Sequence, residues 1–177
     1  MNLDLLDISG NIKITNDGIK HMHLSTLSAA GNSKITDNSI KHMMLQSLDA
    51  TDNPMITDDG IKHMKLTKLF VSYNNNITDN GIKHLSLQTL VASYNNNITD
   101  NGIKHMNLVN LYIHHNNNIT DDGIKHMTNL KDLSIRDNTK ITDEGLLNTN
   151  LEKLYIYGEC KITGKSFKRG KLRTLGI

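Results

Sequence analysis

Apolar residues recur along this chain at fixed positions within a unit of 21 residues. Each unit has two leucines three residues apart, such as Leu87 and Leu90, and a third apolar residue two positions later. An asparagine follows, and then an Ile-Thr pair. Ile-Thr occurs eight times, starting at Ile14, Ile35, Ile56, Ile77, Ile98, Ile119, Ile141 and Ile162. A short fixed period of this kind predicts a solenoid, in which each unit is one turn stacked on its neighbours.

Every unit contains the pattern of one strand and one helix. Residues alternate between apolar and polar around the second leucine, which predicts a short strand in a parallel sheet. The predicted strands centre on Leu48, Leu69, Leu90, Leu111, Leu133 and Leu154. The stretch after Ile-Thr predicts a short helix with Thr as its cap, an Asp at its positive end, and Ile61 and Met64 facing the core.

Two further details of the period carry structural predictions. Glycine costs about 1 kcal/mol inside a helix, so its recurrence in the predicted helices (Gly60 and Gly81, for example) indicates close packing. One step, between Ile119 and Ile141, has 22 residues instead of 21. We expect the loop between Met127 and Leu130 to absorb the extra residue, because a slip of one position would turn the following leucines to solvent.

The pattern L-x-x-L-x-L-x-x-N resembles the leucine-rich repeat. In finer detail, N-x-x-I-T-D-x-G-[IL] is similar to the cysteine-containing repeats of F-box substrate-recognition proteins, with Asn in place of Cys. The asparagine-rich runs resemble short repeat proteins of giant viruses, amoebal protists or intracellular bacteria. The resemblance implies an α/β repeat solenoid, a right-handed leucine-rich-repeat superhelix with a parallel concave sheet and short convex helices. It would have about eight turns in a single domain over residues 1–177.

The asparagine of each unit is predicted to be structural. Its amide has two donor hydrogens and an acceptor oxygen, which can satisfy backbone groups left unpaired at a tight bend. The predicted ladder consists of Asn11, Asn32, Asn53, Asn74, Asn95, Asn116 and Asn138.

Histidine also recurs with the period, next to a lysine. The ladder is His21, His42, His63, His84, His105 and His126. Zinc sites need three or four ligands that converge on one point, whereas each unit offers one histidine, so we expect no metal. We instead predict half-buried structural histidines whose protonation is disfavoured, so that the protein loses stability between about pH 7 and pH 5.

No pattern of catalytic residues is present, and Cys160 lacks the surroundings of a nucleophile. We therefore expect neither an enzyme nor a cofactor. A single cysteine excludes an internal disulfide and favours an intracellular location. The expected location is the cytoplasm, or the host cytoplasm for an effector or viral protein. No apolar run is long enough to span a membrane.

Candidate binding residues occupy the positions that the repeat leaves free on the predicted concave face. All five tyrosines of the chain are among them. The candidates are Phe70, Tyr73, Tyr94, Tyr112, His114, His115, Arg136, Tyr155 and Tyr157. Because tyrosine and arginine are frequent in binding hot spots, we predict a non-catalytic module that binds a protein or peptide, as a substrate adaptor or host-directed effector.

Two alternatives remain open at the level of the sequence. Turns could stack end to end, giving a structural or assembly protein, although a monomer is the expected state. Residues 161–177 contain six basic residues and no acidic one, which suits nucleic acid or another anionic surface. The same segment is interpreted more simply as a polar cap, with Phe167 covering the last turn, so nucleic acid is not the favoured partner.

Overall fold

The computed structural model of the protein describes residues 3–165 and 172–176. Within these residues, nine parallel strands form one sheet in the order of the chain. The strands are β1 (Leu5–Asp7), β2 (Thr26–Ser28), β3 (Ser47–Asp49), β4 (Lys68–Phe70), β5 (Thr89–Val91), β6 (Asn110–Tyr112), β7 (Asp132–Arg136), β8 (Lys153–Tyr157) and β9 (Thr174–Gly176). The second leucines pair across neighbouring strands, as Leu69 does with Leu90. The predicted parallel sheet is confirmed.

A helix of one turn follows each strand from β1 to β7. The helices are α1 (Asn16–Ile19), α2 (Asp37–Ile40), α3 (Asp58–Ile61), α4 (Asp79–Ile82), α5 (Asp100–Ile103), α6 (Asp121–Ile124) and α7 (Asp143–Leu146). The threonine before the helix caps its start from α2 onward; for instance, the Thr78 hydroxyl accepts a hydrogen bond from the backbone N–H of Asn80 at 3.2 Å. Thr15 makes no such bond at α1. Strand and helix thus alternate in a regular α/β solenoid.

The core lies between the sheet and the helices and is continuous along the coil. Both leucines of the central units, the third apolar residue and the isoleucine of Ile-Thr are buried there. Ile61 and Met64 face this core as predicted, with 0% and 8% of their surface exposed. Because each unit buries its apolar residues against its neighbours, the units stabilise one another.

The ladder asparagines hydrogen-bond both within and between units. Asn95 shows the pattern: its Nδ2 donates to the carbonyls of Asn74 at 2.6 Å and Ile77 at 3.0 Å. Its Oδ1 accepts from the backbone N–H groups of Asn97 at 3.0 Å and Ile98 at 3.1 Å. The side chains that are fully buried in this way are those of Asn32, Asn53, Asn74, Asn95, Asn116 and Asn138. Asn11, in the first unit, is exposed.

The aspartate at the start of each helix bonds to the next unit. Oδ1 of Asp58 accepts from the backbone N–H of Thr78 at 2.7 Å, and its Oδ2 accepts from the Thr78 hydroxyl at 2.6 Å. A β-carbon added to Gly81 would lie 2.3 Å from the same Oδ1. The close packing expected at the helix glycines is therefore largely contact with an aspartate of the preceding unit.

The irregular step is absorbed where the sequence predicts. Leu130 and Leu133 are both fully buried, and Leu133 pairs with Leu111 in the sheet. The extra residue lies in the exposed loop at Thr128 and Asn129. The register of the sheet is therefore unbroken at this point.

The prediction that the ladder histidines are half-buried is wrong. All six of these histidines are exposed, because the helix ends at the isoleucine two residues earlier and the histidine lies in the turn that follows. At His105, Nε2 is 2.8 Å from the Lys83 carbonyl oxygen. The burial on which the predicted acid sensitivity depended is therefore absent.

The C-terminal segment contains a strand where none was expected. Residues 161–177 were interpreted as a polar cap, yet β9 lies in this segment and Leu175 pairs with Leu154. Leu172 packs against the core at the start of the same unit. Phe167, the residue expected to cover the last turn, lies outside the described residues.

Candidate protein-binding surface

The first row of candidate residues follows the second leucine of each strand and lies on the solvent face of the sheet. We call Phe70, Val91, Tyr112 and Tyr155 the strand row. Register pairs Phe70 with Val91 and Val91 with Tyr112. Ser134 separates Tyr112 from Tyr155 and is buried. The row members are half-buried, so apolar and aromatic surface remains open to solvent over the sheet.

A second row lies in the turn after the strand, where every unit from β1 to β8 has a residue with positive φ. We call Tyr73, Tyr94 and His115 the edge ladder. Their φ angles are 60°, 59° and 55°, in the left-handed region that non-glycine residues seldom adopt. The rings stack, with centroids 4.4 Å apart between Tyr73 and Tyr94 and 4.3 Å apart between Tyr94 and His115. The spacing of parallel strands, about 4.8 Å, suits such stacking.

A third row lies between these two, three residues after the second leucine. We call His114, Arg136 and Tyr157 the middle row. Nε2 of His114 is 2.7 Å from the Ser134 hydroxyl, and its ring meets the Tyr157 ring edge-on at 6.4 Å. The nine candidates, together with Val91, thus lie in three adjoining rows, and the tyrosines do not form one continuous patch.

Burial and nearby charge shift the pKa values of Tyr112 and His114 on this surface. Burial raises the pKa of Tyr112 to about 12, helped by a hydrogen bond and the negative charge of Asp132. The pKa of His114 is lowered, first by burial and then by the charges of His115 and Arg136. At neutral pH the surface therefore offers a neutral phenol and a neutral imidazole.

Sequence reasoning missed Asp132, which lies beside the strand row. Its Oδ1 is buried and has no hydrogen-bond partner in the described part of the chain. Lys153 Nζ lies 3.9 Å from its Oδ2. The equivalent position holds Lys68, Thr89 or Asn110 in other units, so the repeat pattern gave no signal that this residue would be buried.

Charged residues lie at both ends of the surface, and at the C-terminal end Arg136 and Lys153 lie next to Asp137 and Asp132. Asp7, Asp49 and Asp52 lie toward the N-terminal end. Lys131 and Arg136 lie toward the C-terminal end, where Lys131 pairs with Glu152 at 3.2 Å.

Two open cavities lie elsewhere, where the helix-to-strand loops meet the start of the strands. Their volumes are about 560 and 440 Å³, and they share Met43 and Met44 in their lining. Met44 is 82% exposed. None of the candidate binding residues lines them. They add an exposed apolar patch on the opposite edge of the sheet.

Residues 3–165 and 172–176 contain neither a metal-ligand cluster nor a membrane-spanning helix. Those residues contain no group of three or more His, Cys, Asp or Glu side chains placed to hold a metal ion. None of the helices within the same ranges is long and apolar enough to cross a membrane.

Comparison with known proteins agrees with the architecture. Residues 41–64, 62–86 and 126–148 match a family model described as leucine-rich repeat. The fold is similar to a chain in the crystal structure of the Rad7 and Elc1 complex of yeast, with a TM-score of 0.57 and 14% identity. The likeness covers 97% of this chain and 67% of that one. None of the curated protein sequences compared with the chain matches it.

The molecule is therefore a solenoid of leucine-rich repeats, with parallel strands on one side and single-turn helices on the other. Its repeats and open sheet support a protein-interaction module. What the surface offers chemically is aromatic contact area, a few charges and hydrogen-bonding groups.

Proposed function

We propose that this chain is a non-catalytic module that binds a protein or peptide on the open face of its sheet. The observation that carries the proposal is the set of exposed aromatic side chains in three adjoining rows. We take residues 1–177 as a single leucine-rich-repeat domain that acts as a monomer. Binding would centre on Tyr94 and Tyr112, in the middle of the rows.

Packing between neighbouring units does not account for all of these aromatic residues. The edge ladder is a stack, yet Tyr73 and Tyr94 remain 55% and 37% exposed. In the strand row, buried Ser134 lies between Tyr112 and Tyr155, so these two rings are two strand spacings apart, about 10 Å. Large amphipathic side chains that lose little entropy on binding are typical hot-spot residues. A partner protein would bury the surface that neighbouring units leave open.

The proposed role is that of a substrate adaptor. The resemblance to F-box repeats supports it, and the structural neighbour is named for a complex of Rad7 with Elc1. A host-directed effector would use the same surface in a host cell. The single cysteine supports a cytoplasmic location for either role.

Paired substitutions on the two faces of the coil test the proposal. A partner captured from the source cells and then purified should bind the variant Tyr94→Ala/Tyr112→Ala at least about 30-fold more weakly than the parent, as expected for hot-spot residues. Lys83→Ala/Lys104→Ala, on the helix side, is the matched control and should bind within about twofold of the parent, as surface changes outside an interface do. Melting temperatures would show that both variants fold.

Two results would contradict the proposal. Equal losses from both variants, or a loss only from the lysine pair, would move the binding surface to the helix side. Capture of nucleic acid, with affinity that falls steeply with salt concentration, would favour the basic C-terminal end as the binding site.

A further inference from the structure

The edge ladder ends abruptly at Tyr73. The residue at the same position of the preceding unit is Asp52, and before it come Gly31 and Gly10. Tyr94 has a ring stacked on each side, whereas Tyr73 has a ring only on the Tyr94 side. Tyr73 is accordingly the more exposed, at 55% against 37%. One face of the Tyr73 ring is therefore uncovered by any other ring in the described chain.

The residue before Tyr73 in the ladder position, Asp52, has a free carboxylate whose charge acts on Tyr73. Asp52 is exposed, and within the described residues its side chain has neither a hydrogen bond nor an ion pair. Asp52 and Tyr73 occupy equivalent positions of adjacent units, so their backbones are one strand spacing apart, about 4.8 Å. The pKa of Tyr73 is raised, mainly by partial desolvation and its hydrogen bond with Tyr94, with a smaller contribution from the charge of Asp52.

At the opposite end of the ladder, the carboxylate of Asp137 already has partners. Asp137 lies 3.4 Å from His115 Nε2 and 3.6 Å from Arg136 Nε. Its Oδ1 also accepts a hydrogen bond from the backbone N–H of Glu159 at 2.9 Å. The two ends share the same backbone conformation and the same residue type, so the free carboxylate at Asp52 is a property of that end alone.

Space is open on the far side of Asp52. A β-carbon added at Gly31 would meet only backbone atoms of Gly10, at 4.0 Å, and one added at Gly10 would meet nothing within 4 Å. The Tyr73 ring, the Asp52 carboxylate and the Gly31 backbone thus form a slot. The ring is its flat apolar wall, the carboxylate is its acidic side, and the glycine leaves its end open. We name Gly31, Asp52 and Tyr73 the edge slot.

A flat cation fits these three features better than any other common group. A guanidinium stacks on an aromatic face and forms paired hydrogen bonds with a carboxylate. A lysine ammonium is not planar, and an uncharged amide would gain little from Asp52. Asp7 and Asp49, toward the same end of the coil, add to the negative potential. We propose that the edge slot binds an arginine side chain of the partner protein, a contact that rests on the proposed binding function.

A peptide titration tests the slot without knowledge of the partner. The probe is acetyl-Gly-Gly-Arg-Gly-Gly-amide, added to ¹⁵N-labelled full-length protein and followed by NMR. We expect saturable shifts at the amides of Gly31, Asp52 and Tyr73. The same peptide with lysine or citrulline in place of arginine should bind at least about fivefold more weakly, because each lacks either the planar donor array or the charge.

Three substitutions at one repeat position sharpen the test. Asp52→Asn keeps a residue that tolerates the left-handed conformation and should erase the preference for arginine over citrulline. Asp52→Tyr should extend the ladder, since tyrosine already occupies this position in the next two units, and should abolish binding by covering Tyr73. Asp137→Asn, at the other end of the ladder, should leave arginine binding unchanged. Melting temperatures verify that all three fold.

The slot and the proposed function can fail separately. An arginine peptide that causes no shifts, or shifts that survive Asp52→Tyr, would overturn the slot even if Tyr94→Ala/Tyr112→Ala still abolished partner binding. With a purified partner, Asp52→Tyr should weaken binding at least about fivefold, the loss of one exposed stacked ion pair. An unchanged affinity would also overturn the assignment.

Discussion

The amide of Asn95 meets four backbone groups that belong to two units of the coil. A hydrophobic side chain of the same size would leave these groups unpaired in the interior, and each unpaired group costs about 1–3 kcal/mol. The pattern repeats in every described unit from Asn32 to Asn138. At the scale of single residues, the coil thus depends on polar contacts as well as on its leucines.

Truncation of a ladder asparagine should be strongly destabilising. We expect Asn95→Ala to lower the free energy of unfolding by about 3 kcal/mol, since several buried hydrogen bonds lose their partner. Asn96→Ala is the control, because Asn96 is exposed and its side chain makes no hydrogen bond within the described chain. It should change stability by less than about 0.5 kcal/mol. Urea unfolding measures both, and similar losses would mean that the ladder is not a main source of stability.

We expect acid sensitivity to arise from His114, in the middle row of the surface. Burial and the neighbouring positive charges lower the pKa of His114 in the folded protein. The unfolded chain, with a histidine pKa of about 6.5, then binds more protons below that pH. Stability from this group is therefore present above about pH 6.5 and declines as the pH falls.

Melting temperature measured between pH 7 and pH 5 tests this assignment. The melting temperature of the parent should fall over that range, and that of His114→Gln should fall less. The carboxylates with lowered pKa, such as Asp59 and Asp122, lose their contribution only near or below about pH 4. A fall of equal size in His114→Gln would exclude His114 as the source.

At the scale of elements, no helix of this coil could persist alone. Each has four residues, whereas isolated helices shorter than about 12 residues are marginal in water. The Asp-to-Thr contact and the helix glycine hold successive helices together. Among α1 to α7, serine replaces this glycine in α2 (Ser39), next to α1, where Asn16 stands in place of the aspartate.

Two glycines in equivalent positions should respond oppositely to alanine. Gly81→Ala places a β-carbon against the Asp58 carboxylate, so we expect a loss of about 1–3 kcal/mol, as for other overpacked sites. At Gly18 the nearest atom is 3.5 Å away, on Ile14. Gly18→Ala should be neutral or stabilising by up to about 1 kcal/mol, because alanine favours the helix. Thermal or urea unfolding measures the stability of both variants. Equal changes in Gly81→Ala and Gly18→Ala would show that the aspartate contact does not require glycine.

The extra residue in the loop between Thr128 and Leu130 should be dispensable. Deletion of Asn129 removes one exposed hydrogen bond, from its N–H to Asn107 Oδ1 at 3.1 Å, and restores the common length. We expect a change within about 1 kcal/mol. Deletion of Asn107, in a unit with no spare residue, should cost far more because Leu108 would be pulled from the core. Comparable losses would show that Asn129 has a packing role.

At the scale of the whole molecule, the sequence predicts those features that recur in every unit. The strand centres, the core residues and the register after Asn129 could be predicted because many units show the same residue type at each of these positions. The histidine ladder was misplaced because helical spacing was extended past Ile61 and its equivalents, where the helix ends. The edge ladder depends on a left-handed backbone conformation at Tyr73 and Tyr94. The pattern of apolar and polar side chains does not predict that conformation. The sequence therefore predicts the positions of these candidates in each unit but not their division into rows, and their role in binding stays a prediction.

The ends of the coil should be its least stable part. A unit contacts only its neighbours, and β1, the first strand of the sheet, pairs on one side only. Leu5 is 60% exposed there. The amides of Ile8 and Val71 make equivalent hydrogen bonds to the next strand, at 2.9 and 2.8 Å. Any difference in their hydrogen exchange therefore reports position along the coil and not bond geometry.

We expect the Ile8 amide to exchange at least about tenfold faster than that of Val71 in dilute solution, because local opening is easiest at an end. Equal rates would mean that the whole coil opens as one unit. The same measurement at rising protein concentration separates a monomer from an end-to-end assembly. Protection of Ile8 that grows with concentration, together with a larger mass by light scattering, would show that β1 pairs with another copy. Constant exchange at Ile8 supports a monomer that keeps its binding surface free along the whole sheet.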